Sequence, residues 1–111
     1  MSNPFNHKIT ADEDTIVISG ESQSHIQKIT MDFKSKKLTL ENKELKVCID
    51  SEEEYITLDN DISSIKIEKN KITFKTTTFE IDCDSFNIKS KETEIKADKK
   101  VDIKSPKVNT G

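Results

Sequence analysis

A chain of 111 residues has room for a single domain. Its 18 basic and 21 acidic residues leave a net charge of −3, and five Phe, one Tyr and no Trp offer little to stack on, so a nucleic-acid surface is excluded on both counts. Hydrophobic residues make up 32% and charged residues 35%, which predicts a core that is thin or shared between chains.

Residues 1–27 read as a polar N-terminal segment with one strand, Thr15-Ile-Val-Ile18, closed by Ser19-Gly20. From Lys28 the chain is written in words of polar, apolar, polar, apolar, the period-2 pattern of a strand with one buried face. The first words are Lys28-Ile-Thr-Met31, Lys37-Leu-Thr-Leu40, Lys46-Val-Cys-Ile49 and Tyr55-Ile-Thr-Leu58, each starting nine residues after the last. From Ser64 the step shortens to seven: Ser64-Ile-Lys-Ile67, Lys71-Ile-Thr-Phe74, Thr78-Phe-Glu-Ile81, Ser85-Phe-Asn-Ile88 and Glu92-Thr-Glu-Ile95. One step of eight then leads to Lys100-Val-Asp-Ile103, and a weaker word ends the chain at Lys107-Val-Asn-Thr110. The reading is a wide base over 28–63 and a narrow needle over 64–111. The middle polar positions, among them Thr30, Thr39, Cys48, Thr57, Lys66 and Thr73, are expected to face outward.

An odd step reverses the face of a straight strand, so the backbone must turn once per word. Asn70, Thr76-Thr77, Asp82 to Asp84, Ser90, Asp98-Lys99 and Ser105-Pro106 supply the corners. A coiled coil needs apolar steps of three and four, whereas these are two and five. Tight hairpins favour glycine, and Gly20 and Gly111 lie outside the repeats, which argues against an antiparallel meander. The pattern therefore predicts stacked short strands winding in one sense, a β-helix.

No catalytic constellation is legible, and the expectation is that the chain is not an enzyme. Cys48 and Cys83 fall on opposite faces and predict free thiols, not a bridge. His7 and His25 are isolated, so no metal or other cofactor is expected. The acidic run Asp50-Ser-Glu-Glu-Glu54, with Asp59 and Asp61, lacks a calcium-loop register and reads as a solvated corner. The lysines after residue 88 alternate with acids and read as pairs on an exposed β surface. The start, Met1-Ser-Asn-Pro-Phe-Asn-His7, has no apolar leader, so synthesis and assembly are expected in the cytoplasm.

Runs such as Lys71-Ile-Thr-Phe-Lys75, Glu94-Ile-Lys-Ala-Asp98 and Lys100-Val-Asp-Ile-Lys-Ser105 resemble the C-terminal needles of VgrG proteins of type VI secretion systems. They are similar also to the central spikes of contractile phage tails. The likeness covers residues 28–111 and lies in repeat style, not in a signature motif. It implies an all-β, intertwined homotrimeric (triple-stranded) β-helix, wider and less regular towards its N-terminus. Ile65, Ile67, Ile72, Phe74, Phe79, Ile81, Phe86, Ile88, Ile95, Val101 and Ile103 would lie on or near the threefold axis. Val108, Asn109, Thr110 and Gly111 would form the tip that docks a PAAR-repeat protein.

Larger family members carry an N-terminal hub, for which this chain lacks the length, and an OB-fold, which its first 63 residues match poorly. The resemblance thus implies a minimal spike, or one that docks on separate hub, tube or sheath components. Such a spike crosses a target membrane mechanically and leaves the cell through the injection apparatus. Phage spikes often hold iron through a His-x-His near the tip, a motif this sequence does not contain. Two other readings stay open: a monomeric β-solenoid or jelly-roll that binds or bridges lipid, and a structural fibre stalk.

Overall fold

The computed structural model describes residues 6–22 and 25–106, with the Ser22 side chain left aside, and it is all-β. Eight strands follow one another: β1 (Asn6–Ala11), β2 (Thr15–Ser22), β3 (His25–Asp32), β4 (Lys37–Asn42), β5 (Leu45–Asp50), β6 (Tyr55–Asp59), β7 (Ser64–Ile67) and β8 (Ile72–Lys75). They form one open sheet in sequential order, and each strand pairs antiparallel with the next. Strand length falls from eight residues in β2 and β3 to four in β7 and β8, so the sheet tapers.

Two expectations are corrected here. The first 27 residues hold β1 and β2 as well as the start of β3, and β2 runs on through Gly20 because β1 and β3 pair with it on both sides. The words from Lys28 to Lys75 are joined by antiparallel hairpins, the meander that the lack of glycine argued against.

The turns explain how. Lys36, Lys43, Glu54 and Asp61 occupy the left-handed region, with φ of 60°, 58°, 58° and 76°. That region is costly for a side chain with a Cβ, and at the turns of Lys36, Glu54 and Asp61 a side-chain bond offsets the cost. Asp32 Oδ1 accepts the amides of Lys34 and Ser35 at 3.1 and 3.0 Å. Asp50 Oδ1 accepts those of Glu52 and Glu53, both at 2.9 Å. Asn60 Oδ1 accepts Ile62 and Ser63, and Asp12 Oδ1 accepts Asp14 and Thr15. Each is an Asx turn, in which a short polar side chain stands in for backbone at a reversal.

The chain divides at Glu80 into two units, of which the sheet belongs to the first. At its end Phe79 packs on Phe74, ring centres 5.2 Å apart, and the hydroxyls of Ser63 and Thr76 lie 2.7 Å from each other. In the second unit, residues 81–106 form neither helix nor ladder, and all are exposed. No residue from 76 to 104 takes part in a backbone–backbone hydrogen bond. The backbone nevertheless bends at Asn70, Thr77, Asp84, Lys91, Asp98-Lys99 and Pro106. These are the corners read from the sequence, with Lys91 in place of its neighbour Ser90.

Candidate assembly face

Ladder register places most apolar members of the strands on one face, Val17 and Ile26 being on the other. Ile9, Ile18, Ile29, Leu40, Val47, Leu58, Ile65 and Phe74 are successive partners and make one unbroken row across the sheet. Ala11, Ile16, Met31, Leu38, Ile49, Ile56, Ile67 and Ile72 make a second. Between the two, on the opposite face, runs Thr10, Val17, Thr30, Thr39, Cys48, Thr57, Lys66 and Thr73. The outward positions expected from the words are therefore gathered in one row. The face needs no helix or second sheet to be defined, because side chains of directly paired residues project to the same side.

Among the described residues of the first unit, nothing covers that face. No apolar side chain among the described residues is buried; Leu40, Leu58, Ile72 and Phe74 keep 39%, 40%, 60% and 54% of their surface exposed. The first row floors an open trough of about 1610 Å³ that begins at His7 and ends at Phe79 and Glu80. The chain's accessible surface is 10685 Å², whereas a folded monomer of 12.7 kDa exposes roughly 6,200 Å². The excess, about 4,400 Å², is shared between this uncovered face and residues 81–106, all of which are exposed.

Of the residues assigned to a shared axis, Ile65, Ile67, Ile72 and Phe74 lie together on this face, as Ile65↔Phe74 and Ile67↔Ile72 pairs. Phe79 joins them through its ring contact with Phe74. Ile81, Phe86, Ile88, Ile95, Val101 and Ile103 belong to the second unit, where each is half or more exposed in the single chain. Polar neighbours two apart pair along the words there: Glu94 with Lys96 at 3.1 Å, Lys100 with Asp102 at 3.1 Å, and Asn87 with Ser85 at 3.2 Å. Such i, i+2 pairs put the polar positions on one side and leave the apolar positions for the other. Val108, Asn109, Thr110 and Gly111 lie outside the described residues.

The sequence reading missed the β1 edge of the face, Ile9 and Ala11, and took Ile16 and Ile18 as a lone strand outside the repeats. Ile9, Ile16 and Ile18 precede the first word, and their signal was the same alternation, weakened by Ala11 and interrupted by Asp12 to Asp14.

The charged groups serve the turns. Asp50 is 3% exposed, holds the loop amides of Glu52 and Glu53, and lies 3.9 Å from Lys37 Nζ. Lys36 meets Glu52 at 3.8 Å and Lys69 meets Glu54 at 3.9 Å, so the acidic run is spent on hairpin chemistry. The Thr15 amide, followed by that of Asp14, holds the Asp12 carboxyl below its ordinary value, and the Ser35 amide does the same for Asp32. Burial pushes the Tyr55 phenol up, helped by Cys48 and Asp50. Among the described residues no cluster of His, Cys, Asp and Glu could hold a metal ion, and both cysteines are free. A scan against protein-family models and searches of curated proteins and solved structures found no match.

Proposed function

We propose that this chain is the protomer of a homotrimeric spike of a contractile, type VI secretion-like injection apparatus, which punctures a target membrane mechanically and carries a PAAR-repeat tip protein or an effector. The observation that carries this reading is the segment after Lys75. It turns about every seven residues, alternates polar with apolar, and pairs none of its backbone from 76 to 104 within the chain. Backbone donors and acceptors with that much regularity call for partners, and an intertwined β-helix supplies them from other copies. The uncovered apolar face of the sheet and its taper fit the same assembly, base first and needle after. The surface that remains outside is polar, as a rod driven by a sheath requires. The reading assigns no catalysis, cofactor or nucleic acid to the chain.

Light scattering tests it directly, with an expected mass three times that of the 12.7 kDa chain. Co-purification of a PAAR-repeat protein or of tube and sheath components then separates an injection spike from a fibre stalk. The open trough favours one rival, a monomer that carries an acyl chain in an apolar gutter. A single-chain mass at micromolar concentration would favour that rival and remove the spike.

A further inference from the structure

We infer that the sheet of residues 6–75 is the module that brings the copies together and sets their alignment, and that the later repeats zip up afterwards. This rests on the homotrimeric reading above and adds which part of the chain drives it.

The two parts differ in what they can do alone. Every ladder of the sheet joins consecutive strands, so the contacts are local and the fold forms within one chain. Its turns are fastened by Asp12, Asp32, Asp50 and Asn60 without help from a partner. Residues 76–104 have no backbone pairing of their own, and beyond Phe79 they are held only by exposed side-chain contacts between near neighbours, such as Ser90 with Thr93 and Glu94 with Lys96.

The occupant of the face is a second copy of this chain. Its two apolar rows contain no charged residue, so like faces can close without burying an unpaired ion. Exposed apolar patches above a few hundred Å² are rare on monomers, and two rows across eight strands are well beyond that. A lipid would need only part of the trough and would leave the Ile16 to Ile72 row wet.

Alignment follows from profile. A slip of seven residues in the later repeats exchanges Phe79 for Phe86, Ile81 for Ile88, and Ile88 for Ile95, so as far as Ile95 only Thr93 in place of Phe86 marks a shifted register, and the step of eight before Lys100 is the one further break. The sheet has no such degeneracy, because its strands shorten from eight residues to four and a slip sets unequal strands side by side. The Phe74–Phe79 contact and the Ser63–Thr76 hydroxyl pair fasten the chain's exit to the sheet's last hairpin.

The test uses the full chain in three forms: unaltered, Leu40→Asp with Leu58→Asp on the face, and Ile88→Asp with Ile95→Asp in the repeats. Strand content by circular dichroism accompanies the mass of each. The expected result is a three-chain mass for the unaltered protein and the repeat variant, and a single-chain mass for the face variant. Spin labels on Cys83, in a Cys48→Ser background, should report one separation in the unaltered trimer. A repeat variant that falls to single chains, a face variant that stays trimeric, or several Cys83 separations would each overturn the inference while leaving the trimer in place. A monomeric unaltered protein would instead remove the trimer reading, and this inference with it.

Discussion

Replacing Asp50 separates the two interactions that hold the hairpin between β5 and β6. Its carboxylate accepts two backbone amides at 2.9 Å and faces Lys37 Nζ at 3.9 Å, and the residue is all but buried. Asp50→Ala removes all three contacts. Losing a capping acceptor costs about 0.5–2 kcal/mol, and an amide left shielded and unpaired costs about 1–3 kcal/mol. The loop amides of Glu52 and Glu53 sit in an exposed turn where water can reach them, so the lower part of that range applies. The Lys37 pair adds at most about 1 kcal/mol, since the lysine side chain is 46% exposed. The expected loss is about 2 kcal/mol for Asp50→Ala. For Asp50→Asn, which keeps an oxygen at the same place, it is about 1 kcal/mol or less. Urea unfolding at matched protein concentration reads both, because an assembled protein's midpoint moves with concentration. If asparagine proved as harmful as alanine, the ion pair and not amide acceptance would be holding the turn.

Lys43 takes a left-handed φ that glycine adopts freely. Lys43→Gly should therefore gain about 0.5 kcal/mol after the entropy of a freer unfolded chain is subtracted. Glu44→Gly, where no such strain is relieved, should lose about 0.5–1 kcal/mol, and the same urea titration compares the two. Asp12 and Asp32 titrate below the ordinary carboxylate value when folded. Their contribution is present above the unfolded value of about 3.9 and is lost as pH falls through the folded value. Stability should then be flat above about pH 5 and decline below about pH 4, and Asp32→Asn should flatten part of that decline. Amide hydrogen exchange offers a third check. In the assembled protein residues 76–104 should be protected, and in the Leu40→Asp, Leu58→Asp protein they should exchange freely while β3 to β5 stay protected.

Much of this fold is written in the alternation. The words predicted which residues share a face, and the register bears that out from Thr30 through Cys48 to Thr73 on one side and from Ile29 through Leu58 to Phe74 on the other. The corners at Thr77, Asp84 and Asp98 were legible for a similar reason, since an odd step leaves a zigzag no alternative to turning. What escaped was how consecutive words connect. Absence of glycine argued against hairpins, yet Lys36, Lys43, Glu54 and Asp61 adopt the required φ, and an Asp or Asn ahead of several loops supplies the compensating bond. The readable signal was the Asp that follows two of the words, Asp32 and Asp50, eighteen residues apart and each ahead of a four-residue loop. The β1 strand escaped because Ile9 and Ala11 alone carry its apolar side.

The order of the strands also has a mechanical meaning. Hydrogen bonds in the sheet run along the direction in which β1 through β8 are stacked, so every ladder lies in series with the next. A thrust or a pull down that line loads all of them equally, and under tension the four-residue ladders on either side of β7 are the first to part. Pulled along that line, the sheet is no stronger than its shortest strands, however long β2 and β3 are.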